Sequence, residues 1–174
     1  IFKKEFKKRN IKERQIKISY SYERVMPGDN YFDSVVNYWR VFSSNNKVAK
    51  QMTKNFLSKV LNVKRYPLTY IDTLAACELS KILENTFRAT NIALIDEWSK
   101  FAEKNNIDLF KIIDAIRVRP SHKNIMLPGF GVGGYCLTKD PLFGSIAVSK
   151  FFKFKNLNFP ISKLSVRINK NMPL

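Results

Sequence analysis

The sequence predicts a mainly α-helical fold built around one long helix, with a short strand-containing segment at the N-terminus. A stretch without glycine or proline runs from residue 72 to about 105, and Asp72 or Thr73 can cap it. It predicts a helix roughly 50 Å long. Apolar spacing predicts further helices at 46–61, 106–119, 140–152 and 160–171, and alternation predicts a strand at 15–20.

The same apolar spacing predicts which helical side chains form the core, because a stripe repeating every three or four residues is typical of a buried face. A helix as long as the one at 72–105 often packs against a second subunit, so we also expect a homodimer through it. The side chains predicted to point inward are Val48, Met52, Phe56 and Val60 in the helix at 46–61, and Ile161, Leu164 and Ile168 in the last helix.

Composition limits the classes of protein. A chain of 174 residues is one domain, or one domain plus a fragment. No apolar run reaches membrane-spanning length and no signal peptide opens the chain, and its 2 cysteines make no disulfide framework. We therefore expect reduced thiols, a cytoplasmic location and no membrane partner.

The net charge of +17 permits nucleic acid or a phosphorylated ligand as partner. The lysines are spread along the whole chain and no nucleic-acid-binding motif is present, so we expect no nucleic acid. A ligand that carries a diphosphate fits the charge equally well. His122 is the single histidine and has no partner at ligand spacing, so no metal site is predicted.

Residues 128–141 hold four of the chain's 6 glycines and one of its cysteines, Cys136. Glycines this dense predict a loop whose backbone can approach a ligand closely. Asp140 before Pro141 predicts a helix cap and first position, which places Cys136 ahead of a helix start where a thiolate is favoured. The glycines also spell G-x-G-x-x-G at 129–134, but no strand precedes them and no helix opens there. The loop is therefore not a dinucleotide-binding fingerprint.

Polar side chains on the long helix form a second candidate group. Glu78, Lys81 and Asn85 fall on one face by their spacing, in a turn that Ala75–Ala76 and Leu79 make otherwise apolar. By spacing alone, a solvated polar stripe is the simpler interpretation. Glu23 follows the predicted strand, a common position for site residues in α/β folds.

Three blocks of sequence, at 20–28, 78–89 and 129–141, resemble the UDP-glucose/GDP-mannose dehydrogenase family. Those enzymes oxidise a C6 hydroxymethyl group to a carboxylate in two NAD-dependent steps, for polysaccharide precursors. The resemblance implies that residues 1–30 are the C-terminal remnant of a Rossmann-type NAD-binding domain. It implies that residues 31–174 are a helical central domain for dimerisation and catalysis.

The resemblance also implies roles for single residues. Cys136 would be the nucleophile that traps an aldehyde as a thiohemiacetal and then becomes a thioester. Lys81 and Asn85 would hold the reacting oxygen or a water, with Asp140 completing the set, and Glu23 would position the hydrolytic water. The residues expected to wrap the UDP-sugar are Phe130, Gly131, Val132, Gly133 and Gly134, and the candidate to reach a partner's ligand is Arg119.

The resemblance further implies what this chain lacks. NAD would be bound mainly by a domain outside the chain, and no residue here is assigned to it. We therefore expect the chain alone to be inactive. Thr138 stands where the family usually has proline, with little expected consequence. An inactive dimerisation module, or a truncated gene product, is the alternative interpretation.

Overall fold

The computed structural model describes residues 2–12, 15–26, 28–152, 154 and 156–172. Pro27, within the block at 20–28, lies outside these residues. The chain divides into two compact units, Ile1–Lys81 and Ile82–Leu174. The architecture is mainly helical around one long helix with a small sheet, which confirms the predicted fold class. The predicted division between residues 30 and 31 stays a prediction.

Within its described residues, the first unit contains a three-stranded sheet, three complete helices and the start of a longer helix that continues into the second unit. The helices are α1 (Phe2–Lys8), α2 (Tyr31–Val36) and α3 (Lys47–Val60), and the strands are β1 (Ser19–Tyr22), β2 (Val41–Ser44) and β3 (Thr69–Tyr70). Strand β2 is central, antiparallel to β1 and parallel to β3. It is buried along its whole length, and the short run Val-Phe-Ser-Ser did not predict it.

The first strand begins later than the alternation at residues 15–20 predicts. The Asn45 side chain accepts a hydrogen bond from the Ile18 N–H and donates one to the Ile16 carbonyl, each at 2.9 Å. An asparagine therefore supplies the hydrogen bonds that a neighbouring strand would otherwise make there. Regular pairing starts only at Ser19.

Helix α3 forms where predicted, but its apolar stripe is not in the core. Asn46 caps it by accepting from the Ala49 N–H at 2.8 Å. The buried side chain of this helix is that of Ala49. The predicted core residues are instead exposed, with exposed fractions of 48–66%: Val48, Met52, Phe56 and Val60. A period of four predicts the helix correctly, but it does not show which face meets the rest of the unit.

Helix α4 (Leu74–Lys104) has 31 residues and a length of about 46 Å at 1.5 Å per residue. Thr73 caps it, since its Oγ1 accepts from the Ala76 N–H at 3.1 Å. The helix α5 (Leu109–Arg117) is capped by Asp108, whose side chain accepts from the Lys111 N–H. A further helical segment runs from Asp140 to Phe152 as a 3₁₀ turn, then α6 (Phe143–Ala147), then a π turn.

Helix α7 (Pro160–Asn171) has the predicted bounds and the opposite burial. Its buried side chains are Ser162, Ser165 and Asn169, whereas Ile161 and Leu164 are exposed. The Asn169 amide donates to the Ala89 carbonyl of α4 at 3.0 Å, and Ala89 is fully buried. The polar face of α7 therefore packs inward. The predicted inward stripe is wrong for Ile161 and Leu164, whereas Ile168 is partly buried.

Gly144 in α6 gives a first testable prediction. A Cβ at this position would lie 2.9 Å from the Phe159 ring, closer than real Cβ contacts allow. We expect Gly144→Ala to lower the free energy of unfolding by about 1–3 kcal/mol, measured by urea unfolding. Gly129→Ala is the matched control, since nothing lies within 4 Å of a Cβ there. Equal stability of both variants would contradict the close packing.

Candidate active site

In the first unit, the end of β1 and the first turns of α4 bring Glu23 and Lys81 into contact. The Lys81 amine donates to the main-chain carbonyl of Glu23 at 3.1 Å and lies 5.5 Å from the centroid of the Tyr22 ring. The Glu23 carboxylate accepts a hydrogen bond from the Val25 N–H. The structure thus joins Lys81 to the backbone of Glu23, not to its carboxylate.

The buried Tyr22 ring lies beside the contact between Glu23 and Lys81, and the sequence did not predict Tyr22 as part of the site. Its hydroxyl accepts from the Ser80 hydroxyl and from Arg24, each at 3.2 Å. Arg40 donates to the Tyr22 carbonyl at 3.0 Å, and burial lowers the pKa of that guanidinium below its ordinary value. The period-2 alternation of Tyr20 and Tyr22 is the signal that could have identified Tyr22 as inward-facing.

In the second unit, Asn85 and Asp140 form a buried pair. The Asn85 Nδ2 donates to Asp140 Oδ2 at 2.7 Å, and the two residues are 6% and 8% exposed. The Lys139 amine donates to the other carboxylate oxygen, Oδ1, at 2.6 Å. Asp140 was predicted to cap a helix, but in the structure it is the first residue of a 3₁₀ turn, Asp140–Leu142, and Lys139 occupies the N-cap position.

Cys136 is exposed and opens the turn that carries Asp140. Its carbonyl accepts the Asp140 N–H at 2.9 Å and the Lys139 N–H at 3.3 Å. Thr138 closes the same turn by donating to the Gly134 carbonyl at 2.8 Å, so this replacement of the usual proline is accommodated. Hydrogen bonds therefore connect the Asn85 side chain to Asp140, and the Asp140 main chain to that of Cys136, three of the residues that the sequence singled out.

The glycine loop before Cys136 is exposed, with Phe130 fully accessible. Gly131 and Gly134 have φ of 118° and 78°, values that side chains with a Cβ rarely adopt. Residues 123–128 form no strand and no helix begins at the loop, so its G-x-G-x-x-G spacing lacks the structure of a dinucleotide site. Arg119 is exposed and lies ahead of a 3₁₀ turn at Pro120–His122.

The part of the chain that the structure describes holds neither a cluster of metal-binding side chains nor a membrane-spanning helix. No group of three or more His, Cys, Asp or Glu side chains gathers there as it would around a metal ion. Nor does any helix in those ranges combine the length and apolar character that crossing a bilayer requires.

The two thiols differ in accessibility, which gives a second prediction. Cys77 is fully buried, and burial, followed by the nearby Glu78 charge, raises the pKa of its thiol. We expect iodoacetamide at neutral pH to alkylate Cys136 in the folded chain and to reach Cys77 only after unfolding, read by peptide mass spectrometry. Prompt labelling of Cys77 in folded protein would contradict the packing.

Comparison with known proteins identifies the family. A model described as the UDP-glucose/GDP-mannose dehydrogenase family, central domain, matches residues 75–171, more than half of the chain. The chain belongs to this family, which confirms the resemblance seen in its motifs.

Among curated relatives, the chain is 30% identical to UDP-N-acetyl-D-mannosamine dehydrogenase of Methanocaldococcus jannaschii, over 96% of the chain and 36% of the relative. It is 34% identical to the Methanococcus aeolicus enzyme of the same name, over 86% and 34%. The chain thus spans about a third of the length of these relatives.

Solved structures show the same fold. The UDP-D-ManNAc dehydrogenase of Pyrococcus horikoshii matches with a TM-score of 0.72 and 28% identity, covering 90% of this chain and 34% of that one. A UDP-glucose dehydrogenase of Pyrobaculum islandicum has a TM-score of 0.74 at 22% identity, over 88% and 34%. This second likeness concerns the fold alone.

Proposed function

We propose that this chain is the central-domain part of an NAD-dependent nucleotide-sugar 6-dehydrogenase, which oxidises the C6 hydroxymethyl of a UDP-sugar to a carboxylate. Family membership and the activities for which the relatives are named support this proposal. The observation that carries it is the exposed Cys136 thiol on the turn that also presents Asp140 to Asn85. The product acid would serve as a polysaccharide precursor.

In this proposal, the Cys136 sulfur adds to the aldehyde carbon, and the carbonyl oxygen becomes the hydroxyl of a thiohemiacetal. Lys81 and Asn85 donate hydrogen bonds to the oxygen on which negative charge develops. Asn85 has a second amide hydrogen besides the one bound to Asp140, so it can make this contact. After the second oxidation, Glu23 orients the water that hydrolyses the thioester and releases the thiol.

NAD is the hydride acceptor in such reactions, and the described residues do not fit a dinucleotide. The glycine spacing at 129–134 lacks the strand and helix that would hold a pyrophosphate. We instead propose that Phe130–Gly134 contacts the UDP-sugar, because its exposed backbone can approach a ligand closely.

The test is acid formation by the complete gene product. UDP-N-acetyl-D-mannosamine and UDP-glucose are offered separately with NAD, and products are read by mass spectrometry. The expected result is a uronic acid from at least one of them and two NADH per acid. No acid from either, together with no UDP-sugar binding to the folded protein, would overturn the proposal and favour an inactive module.

We also propose a homodimer through the long helix. Helix α4 exposes an apolar stripe of Leu79, Leu83, Phe87, Leu94, Trp98 and Phe101, each 48–63% exposed. Near its C-terminal end the stripe borders an apolar cavity of about 280 Å³ between α4 and α5. Such a continuous exposed patch is typical of an interaction surface. In that dimer, Arg119 would reach the ligand of the partner subunit.

The dimer proposal gives a third prediction. Phe101→Lys places an unpaired charge in the stripe, and we expect it to weaken association roughly a hundredfold, about 3 kcal/mol. Glu103→Lys, also exposed near the end of α4 but on another face, is the matched control and should leave association intact. Sedimentation over a concentration series measures both. A dimer of unchanged affinity in Phe101→Lys would contradict the assignment.

A further inference from the structure

Asp140 is held at both of its carboxylate oxygens. Asn85 Nδ2 donates to Oδ2 at 2.7 Å, and Lys139 Nζ donates to Oδ1 at 2.6 Å. The Lys139 amine also lies 4.8 Å from the centroid of the Phe143 ring. The lysine side chain is half exposed, yet its ammonium group has two interactions, one with the Asp140 carboxylate and one with the Phe143 ring.

The Asp140 carboxylate in turn fixes the orientation of the Asn85 amide. If that amide were rotated by half a turn, its Oδ1 would face Asp140 Oδ2 across about the same short distance, and two acceptors would repel each other. The NH₂ group therefore faces the carboxylate, and Oδ1 and the second N–H are directed elsewhere. Both residues are buried, so water is poorly placed to replace the partner.

Lys139 supplies the positive charge that this buried carboxylate requires. Taking an ionised carboxylate out of water is costly unless an opposite charge lies beside it. Among the described residues, Lys139 forms the ion pair with Asp140. The backbone of the turn does not depend on that side chain, because the Cys136 carbonyl accepts the main-chain N–H groups of Lys139 and Asp140.

We propose that Lys139 is a positioning residue: its ammonium holds the Asp140 carboxylate, and through it the Asn85 amide, in the orientation needed to bind the reacting oxygen. This inference rests on the proposed function for its catalytic consequence, whereas the positioning itself concerns this chain alone. Lys139 is distinct from Lys81, the lysine that the sequence motifs indicate.

The first test uses this chain and needs no activity. The side-chain NH₂ signals of Asn85 are followed by NMR with labelled asparagine in Lys139→Gln, in Lys139→Arg and in the control Lys163→Gln, an exposed lysine of α7. We expect Lys139→Gln to shift or broaden the Asn85 pair, and Lys139→Arg and the control to preserve it. Unchanged Asn85 signals in folded Lys139→Gln would overturn the proposal.

The second test separates positioning from simple structural support. In the complete gene product we expect Lys139→Gln to lower kcat on the order of 10-fold or more with KM within about twofold, and Lys139→Arg to restore most of it. A KM effect without a kcat effect, or unfolding of Lys139→Gln that arginine rescues, would overturn it. If the parent protein forms no acid, the proposed function fails, and the NMR result alone decides the positioning.

Discussion

We expect the replacement of Cys136 with alanine to lower acid formation by the complete gene product more than about a thousandfold in rate. In the proposed mechanism, no thiohemiacetal can form without the sulfur, and the second oxidation then has no covalent intermediate to act on. The thiol is exposed on a turn whose hydrogen bonds come from its main chain, so alanine leaves the fold intact. Product analysis by mass spectrometry measures the loss.

The control for this experiment is Cys77→Ala. Cys77 is a fully buried thiol packed with Tyr22 and Val41, and it takes no part in the proposed chemistry. We expect this variant to form acid at a rate close to that of the parent. Normal acid production by Cys136→Ala would remove the nucleophile from the mechanism.

The buried Asn85–Asp140 hydrogen bond gives the second large effect. Asn85→Ala leaves one oxygen of a buried carboxylate without its donor, and we expect it to lower the free energy of unfolding by about 2–3 kcal/mol. Asp140→Ala leaves the Asn85 amide and the Lys139 amine without their acceptor, with a loss of similar size. Urea unfolding of the chain measures both.

A double-mutant cycle isolates the interaction itself. The combined variant Asn85→Ala/Asp140→Ala should be more stable than the sum of the two losses predicts, by about 1.5–3 kcal/mol, because the partners are removed together. Additive losses would mean that the two side chains do not interact in solution.

Local signals in the sequence predicted the helices well. Thr73 and Asp108 accept the hydrogen bonds expected of caps, and the bounds of α7 follow from Pro160 at its start. These features depend on a few neighbouring residues and therefore appear in the sequence. Burial depends on distant residues and is harder to predict. Helix α3 exposes the apolar stripe that was predicted to be inside, and α7 exposes Ile161 and Leu164 of its predicted stripe.

The candidate site shows the same limit. Cys136, Asn85 and Asp140 were singled out because family motifs carry them, and the structure brings these three together. Lys139 was not singled out, because it is adjacent to Asp140 and adjacent residues on a regular helix do not face each other. A 3₁₀ turn begins at Asp140 and lets the two side chains meet, and no spacing rule anticipates that geometry.

The buried serines of α7 also have a consequence for redesign. A mutational library that enlarges Ser162 or Ser165 to leucine, in search of a better-filled interior, would overpack two positions that are already buried and would destabilise the unit. Size, more than polarity, limits what these positions accept, so alanine and glycine are the replacements to try first. Hydrophilic substitutions are better placed at Ile161 and Leu164, whose apolar side chains are exposed to solvent.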